Sequence, residues 1–337
     1  MTTDGSAPIA AATPTWQSRL AHLVKIPAFG PFFALILVCA YFAIRTDTFA
    51  TADNFSLIFQ QTIEVGVLAI GQTLIILTAG IDLSCGAVMA FGTIVMTKLV
   101  VANGWNPYIA ILLGILACGA FGLANGLIVT TLRLPAFIVT LGMLGIATAM
   151  TTLYSGSETF SSEPRELKFF GETFNVFGTG VTYGTLAMLA LFAAAWYVLT
   201  HTTVGRHIYA LGDNPEAVRL SGVRTSQLLV GVYTVAGLTY GLAAYLLVTR
   251  SDGLGDPAAG QTDNLDSITA VVIGGTSLFG GRGSMVGTLI GALIVSVFRS
   301  GLIQQDVDPV YQVLITGILV ILAVAADQIL RGKHKRA

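Results

Sequence analysis

Charged residues are scarce in this chain. Only 10% of its 337 residues are Asp, Glu, Lys or Arg, and 54% are hydrophobic, whereas a soluble domain carries about a quarter charged residues. The mean hydropathy is +0.78. Such a chain has too little polar surface to face water, and its apolar residues lie in long uncharged blocks. The composition therefore excludes an ordinary soluble domain and predicts an integral membrane protein.

Cysteines and recognisable catalytic motifs are also few. Cys39, Cys85 and Cys118 are odd in number and widely spaced, so the sequence indicates neither a disulfide framework nor a zinc site. A net charge of −1 gives no sign of a nucleic-acid partner. The sequence holds no GxxxxGK[ST], HExxH or GxSxG motif. We therefore expect no catalytic site, no metal and no cofactor on this chain, and an intramembrane enzyme is disfavoured.

Long apolar segments define the predicted architecture. A membrane-spanning helix needs about 20 largely apolar residues. The sequence therefore predicts an all-α integral membrane protein with about ten transmembrane helices, some of them short, Gly-interrupted or re-entrant, at 26–44, 65–81, 83–97, 106–130, 135–155, 181–200, 228–249, 267–281, 283–298 and 309–326. Segment 267–281 is either a short span or a re-entrant pair. The transmembrane domain, 26–330, is flanked by a disordered segment, 1–25, and a basic tail, 331–337.

The distribution of basic residues predicts the orientation. An even number of crossings places both termini on one side, and the larger share of Lys and Arg lies on that side, which the positive-inside rule assigns to the cytoplasm. The polar segment 156–182 is then external, and the loop 201–228 is cytoplasmic. Arg250 and Arg299 count among the external charges in this assignment.

The cytoplasmic loop contains the sequence GDNPEAVRLSG, residues 212–222, which predicts a short helix. Asn214 is a good N-cap, Pro215 suits the first helical position, and Glu216 places a negative charge in the first turn. Arg219 is spaced to pair with Glu216, and Gly222 permits the left-handed end. A helix of about two turns is marginal alone in water. It therefore either packs on its own chain as an ordinary connector or docks on a partner.

Polar residues within or at the ends of apolar segments are candidates for a solute pathway. Burial in lipid is costly, so we expect these side chains to face the bundle interior or a water-filled cavity. One interpretation is the lining of a pathway for a polar solute; the alternative is hydrogen bonding between helices. For Asp82, which precedes Ser84 by two residues, helix capping is favoured. The four residues are Glu64, Asp82, Asn125 and Asp266.

Two glycine-rich stretches interrupt apolar segments in the two halves of the chain, GIDLSCG at 80–86 and GTSLFGG at 275–281. Interrupted helices in corresponding places of two halves are typical of transport pathways. Glycine is also frequent in membrane helices generally, and both interpretations stay open.

Four stretches of the chain, taken together, resemble a known family. They are ILTAGIDLSCGA (76–87), GLANGLIVTTLRLPAFIVTLG (122–142), GRHIYALGDNPEAVRLSGV (205–223) and NLDSITAVVIGGTSLFGGRGSMVGTLIGA (264–292). Their combination is similar to the sugar permease subunits of bacterial ATP-binding-cassette importers of the ribose/xylose/arabinose/fructose type, over most of 58–327. The sequence Asn264-Leu265-Asp266 looks more like the fructose-type branch.

The resemblance implies a permease that works as a pair in the bacterial inner membrane. It implies a cytoplasmic ATPase that holds ATP and Mg, a periplasmic sugar-binding protein, and a monosaccharide as substrate. It also implies that the loop helix is the coupling helix, formed by Gly212, Asp213, Asn214, Pro215, Glu216, Ala217, Arg219, Leu220 and Gly222. Val218 stands where the family usually has alanine; this difference is expected to leave the helix intact and to alter the docking surface. The alternative is a secondary transporter without an ATPase, in which Glu64 or Asp82 is a proton or ion site.

Overall fold

The structure is a computed structural model that describes residues 29–176 and 178–334. The described part is mostly helical. Its helices are α1 (Phe29–Arg45), α2 (Ala52–Leu77), α3 (Cys85–Val101), α4 (Pro107–Thr131), α5 (Ala136–Ser155), α6 (Tyr183–His201), α7 (Thr203–Asp213), α8 (Pro215–Leu220), α9 (Thr225–Arg250), α10 (Asp263–Ile273), α11 (Met285–Gln304) and α12 (Pro309–His334). Four short strands complete it: β1 (Phe160–Ser161), β2 (Thr173–Val176), β3 (Thr179–Thr182) and β4 (Leu254–Gly255).

Within the described residues, six helices are long and apolar enough to cross a membrane: α2, α4, α5, α6, α9 and α11. Three shorter apolar helices accompany them: α1, α3 and the Pro309–Leu322 part of α12. The predicted helical membrane class is therefore confirmed, whereas the prediction of about ten spanning helices is not. The predicted disordered segment 1–25 lies outside the described residues.

The largest departure from prediction is at 267–281. This segment is not one helix: α10 covers Asp263–Ile273, only 11 residues, or about 17 Å at about 1.5 Å per residue. A non-helical stretch, 274–284, follows it. A second non-helical stretch, 78–84, separates α2 from α3. These two stretches, here called the first break (78–84) and the second break (274–284), contain most of the two glycine-rich stretches singled out in the sequence.

Other boundaries also differ from prediction. Helix α2 begins at Ala52, well before the predicted residue 65, and two polar residues of its first turns, Asn54 and Thr62, are buried against the protein. Asn54 is buried, donates to the Phe49 carbonyl at 2.8 Å and accepts from the Ser300 hydroxyl at 2.6 Å. Helix α12 continues to His334, past the predicted end at 326 and into the predicted tail 331–337, of which 335–337 lie outside the described residues.

The strands lie at one end of the bundle, here called the strand end. Strand β1 pairs antiparallel with β4, which joins the segment after α5 to the segment after α9. Strands β2 and β3 form a hairpin that leads into α6. At this end the Arg165 guanidinium donates two hydrogen bonds to the Glu172 carboxylate, which lowers the pKa of that carboxyl. The opposite end, with α7 and α8, is here called the connector end.

The core forms where α9 packs against α2 and α4. Leu68, Ile75 and Tyr240 are buried members of this core. Helices α4 and α9 approach through Gly122 and Gly237, where a Cβ on either glycine would meet the other's backbone about 3.0 Å away. Small residues at such a contact let helix backbones come close enough to pack without a hydrophobic driving force from water.

Candidate functional site

The helix at the connector end has the local features that its sequence predicts. The Asn214 Oδ1 accepts a hydrogen bond from the Ala217 N–H at 3.0 Å, and Pro215 is the first helical residue. The Arg219 guanidinium donates to the Glu216 carboxylate at 2.9 Å. Gly222 has a φ of +88°, in the left-handed region that glycine adopts without strain.

The extent of this helix differs from prediction. Gly212 and Asp213 do not belong to it, because they are the last residues of α7. Asn214 has φ −151° and ψ 93°, an extended conformation that ends α7 and begins α8. Asn214 is therefore both the C-cap of α7 and the N-cap of α8. The composition of the loop predicts the N-cap but not the end of a preceding helix at the same residue.

Most of α8 faces away from the protein. Glu216 and Arg219 have side chains 71% and 68% exposed, and Leu220 is 77% exposed. Val218 is the exception at 6% exposed. Its valine side chain therefore packs on this chain, and the departure from alanine does not alter the exposed surface directly. We call the exposed residues Glu216, Arg219 and Leu220 the α8 surface.

Helix α7 ties the connector end to the end of α2 and to the second break. Gly212 lies so close to the Leu77 carbonyl and the Gly281 N–H that no Cβ fits there. The Tyr209 hydroxyl donates to the Gly283 carbonyl at 3.0 Å in the second break. Burial raises the pKa of the Tyr209 phenol. It therefore stays protonated, and remains a donor, at neutral pH.

An ionic cluster of five residues lies between the core helices and α10. The Glu64 carboxylate accepts from the Arg250 guanidinium at 2.9 Å, and its other oxygen lies 3.8 Å from Arg299. Asp263 and Asp266 on α10 are each 6% exposed. Glu64 thus has the partners that a buried charge needs, because removal from water is costly, whereas neither Asp263 nor Asp266 has a salt bridge among the described residues.

A second polar cluster surrounds the first break. The Asp82 Oδ1 accepts from the Ser84 N–H at 2.8 Å and from the Ser84 hydroxyl at 2.6 Å, and its Oδ2 accepts from the Tyr240 hydroxyl at 3.3 Å. Asn125 donates to the Ser84 hydroxyl at 3.2 Å, while its own Oδ1, like the Gln72 Oε1, has no hydrogen-bond partner among the described residues.

The four predicted pathway residues are all buried, but they form two groups. Glu64 and Asp266 belong to the ionic cluster, and Asp82 and Asn125 belong to the cluster at the first break. A 3.5 Å contact between the Cys85 thiol and the Ser267 hydroxyl joins the two groups. The hydrogen bonds of Asp82 to Ser84, directly before α3, fit the capping interpretation, and they do not decide whether a solute passes these residues.

The sequence interpretation missed the basic members of the ionic cluster. Arg250 and Arg299 entered the prediction only as external charges, and the structure shows that both face Glu64. The sequence did hold an indication for Arg299, because this charged residue lies within the apolar helix α11 and not after its end. Tyr240 and Asp263 were missed as well, because a single Tyr in a helix or an Asp at a helix start is usually unremarkable.

A cavity of about 200 Å³ lies between α10, α11 and α12. Its wall is largely apolar, with contributions from Ile273, Val295 and Phe298. Its polar lining is Thr262, Asp266, Thr269, Arg299, Gln312 and Thr316. An apolar pocket with a few converging polar groups is the common form of a small-molecule site.

Comparison with known proteins identifies relatives along nearly the whole chain. A family model described as branched-chain amino acid transport system / permease component matches residues 54–324. The fructose import permease protein FrcC of Rhizobium meliloti is 43% identical over 94% of this chain and 90% of its own length. The ribose import permease protein RbsC of Escherichia coli K12 is 38% identical over 87% of this chain and 91% of its own length. The D-allose transport system permease protein AlsC of the same strain is 33% identical over 90% of this chain and 92% of its own length.

No solved structure matches the chain. The relatives named above are transport permeases and not enzymes. They confirm the family resemblance found in the sequence, and the buried polar clusters among membrane-length helices suit such a protein. The chain is therefore a multi-pass membrane protein that belongs to the branched-chain amino acid transport system permease component family.

Proposed function

We propose that this chain is the permease subunit of an ATP-driven importer that carries a monosaccharide across the bacterial inner membrane. The relatives named for fructose, ribose and D-allose support this substrate class. A pentose or hexose such as ribose or fructose is the expected cargo. The permease works with a second copy of itself, a periplasmic sugar-binding protein and a cytoplasmic ATPase that holds ATP and Mg; the chain itself has no catalytic role and binds no cofactor.

In this proposal both termini and the connector end face the cytoplasm. The chain crosses the membrane ten times, and the eighth crossing consists of the non-helical residues 256–262 followed by α10. Two contacts support this path. Gly255 pairs with Phe160 at the strand end, while the Gly281 N–H donates to the Leu77 carbonyl beside α7.

The α8 surface is the docking site for the ATPase. One observation carries this assignment: helix α7, which presents α8, contacts the end of α2 at Leu77 through Gly212 and the second break through Gly212 and Tyr209. A displacement of α8 by the ATPase is thereby transmitted to the end of α2 and to the second break. Non-helical segments between packed helices are suited to alternate between two arrangements, and this is the basis of alternating access in the proposal.

The test is a charge reversal on the α8 surface. Glu216→Lys, tagged and expressed with its ATPase, is expected to lose the ATPase on purification and to lose sugar uptake, with the permease still folded. Leu220→Asp is expected to behave in the same way. The matched control is Glu158→Lys, because Glu158 is exposed and lies near the strand end. Normal ATP-dependent uptake by Glu216→Lys would refute the docking role.

A secondary transporter that works without an ATPase is the second candidate. The pairing of Glu64 with Arg250 and Arg299 disfavours Glu64 as its ion site, because a proton or cation would have to displace two guanidinium groups. Asp82 is the remaining candidate, since it is buried and, among the described residues, has hydroxyl and N–H partners but no salt bridge. Gradient-driven sugar uptake by the purified chain in liposomes would favour this function.

A further inference from the structure

The cavity between α10, α11 and α12 holds an unusual carboxylate. Asp266 lines the cavity and is 6% exposed. Within the described residues, nothing donates a hydrogen bond to its side chain, and no basic nitrogen lies within 4.0 Å of it. Glu64, in contrast, is paired. The Asp266 carboxylate faces the cavity with no donor from the described residues, so a group that enters the cavity and donates to it is bound favourably.

The other polar groups of the cavity suit a solute with several hydroxyls. Arg299 offers donors, and the side chains of Thr262, Thr316 and Gln312 offer both donors and acceptors. Arg299 is free to turn toward a solute, because its side chain is 40% exposed and its contact with Glu64 is long, at 3.8 Å. Phe298 and Val295 supply the apolar wall that the C–H face of a sugar ring requires.

Volume and charge narrow the ligand class further. The volume of about 200 Å³ is more than ten times the roughly 10–15 Å³ that one water molecule needs, which admits a single small solute. Since Arg250 is bound closely to Glu64, the formal charges that remain are those of Asp263, Asp266 and Arg299. Their sum is negative, and it disfavours sugar acids and sugar phosphates relative to neutral sugars.

We propose that this cavity is a binding site for a neutral monosaccharide, in which Asp266 accepts hydrogen bonds from sugar hydroxyls and Arg299 donates to them. The inference rests on the proposed function, and it adds to it the place and the charge class of the substrate. Specificity then follows from the polar groups of α10, α11 and α12 that converge on one solute.

Transport by the complete complex, with its ATPase and sugar-binding protein in proteoliposomes, gives the first test. Asp266→Asn is expected to reduce the maximal uptake rate by about tenfold or more, because a hydrogen bond to a charged group is worth more than one to a neutral group. Copurification of the ATPase should stay at the wild-type ratio. Asp306→Asn, the same substitution in the exposed loop before α12, is the matched control.

Two failures of this test are distinct. If ATPase copurifies and Asp266→Asn transports like wild type, the cavity proposal is wrong and the proposed function stands. If no ATPase copurifies with the wild-type chain, the proposed function fails regardless of the variant.

Chemical protection gives a test that does not depend on transport. In a Cys39→Ser background, Thr316→Cys places a thiol in the cavity wall, and the rate of its reaction with a hydrophilic methanethiosulfonate is measured. One of D-fructose, D-ribose, D-allose or D-galactose is expected to slow the reaction several-fold, while D-gluconate leaves it unchanged. No effect of any of the four sugars, or equal protection by gluconate, would overturn the proposal.

Discussion

The backbone N–H of Gly281 donates a hydrogen bond to the carbonyl oxygen of Leu77 at 2.9 Å. Leu77 is the last residue of α2, where helix carbonyls have no partner within the helix. Gly281 belongs to the second break and has a φ of +72°. The end of a helix in one half of the chain is thus capped by a break in the other half, and Gly212 of α7 packs on the same pair.

A side chain at Gly212 should separate these three elements. Gly212→Ala places a Cβ against the Leu77 carbonyl and the Gly281 nitrogen, both of them backbone atoms that cannot rotate away. We expect a loss of about 1–3 kcal/mol in stability, the usual cost of overpacking. Gly231→Ala is the control, because open space surrounds that glycine in α9. Thermal unfolding in detergent measures both, and equal midpoints would contradict this account of the contact.

Removal of one hydroxyl should weaken the link between α7 and the second break. Tyr209→Phe leaves the Gly283 carbonyl without its donor, at an expected cost of about 1 kcal/mol. Because burial raises the pKa of the Tyr209 phenol, its contribution is fully present below about pH 10 and is lost only as the pH rises through the raised value. Tyr197→Phe, at a ring that is 58% exposed, should leave stability unchanged. A stability difference between the two variants that vanishes at neutral pH would count against the role of this hydrogen bond.

The pair of Glu64 and Arg250 should show energetic coupling. In a double-mutant cycle of Glu64→Gln and Arg250→Gln, the coupling energy is expected at about 1–3 kcal/mol, because the Glu64 carboxylate is almost fully buried and the guanidinium is mostly so. The same cycle at Arg165 and Glu172 should give a smaller, salt-sensitive coupling, since that pair is exposed at the strand end. Equal coupling energies in the two cycles would contradict the expectation that burial strengthens the interaction between Glu64 and Arg250.

Replacement of Asp82 by alanine should destabilise the protein more than replacement by asparagine. Asp82→Ala removes the acceptor of the Ser84 N–H, the Ser84 hydroxyl and the Tyr240 hydroxyl together, and a loss of roughly 2–5 kcal/mol is expected from several buried donors left unpaired. Asp82→Asn keeps one acceptor oxygen and should cost less.

The Asp82→Asn variant also separates the candidate functions. In the importer, Asp82→Asn retains ATP-dependent uptake, because its role there is to hold the first break. In a proton-coupled transporter the neutral amide would abolish gradient-driven uptake. Loss of ATP-driven uptake in a folded Asp82→Asn protein would contradict the structural role.

Much of the architecture could be predicted from the sequence because two kinds of sequence pattern are strong: long uncharged segments and local helix-capping residues. Long uncharged segments mark α4, α5, α6 and α9 to within a few residues, since lipid tolerates little else. The cap at Asn214 and the pair of Glu216 and Arg219 were also predictable, because they depend only on neighbours along the chain.

The remainder depended on contacts between distant segments. The first turns of α2 are polar, and they are helical because Asn54 meets Ser300 on α11. The contact of Arg299 with Glu64 could not be predicted, because only the fold brings the two residues together. The cavity could not be anticipated at all, since its walls come from three helices and no single stretch carries its pattern.

The short helix α10 has a consequence for how the protein is made. Its 11 residues are about half of the roughly 20 that an independent span requires, so the insertion machinery has no reason to release it into lipid on its own. Its neighbours pack closely on it and on the turn before it: Gly291 of α11 lies against Ala270, and Gly86 of α3 lies against the backbone of Gly260. We therefore expect α10 to reach its final position only when α11 and the helices of the first half that contact it are in place, and a chain truncated before α11 to lack the packing around Asp266.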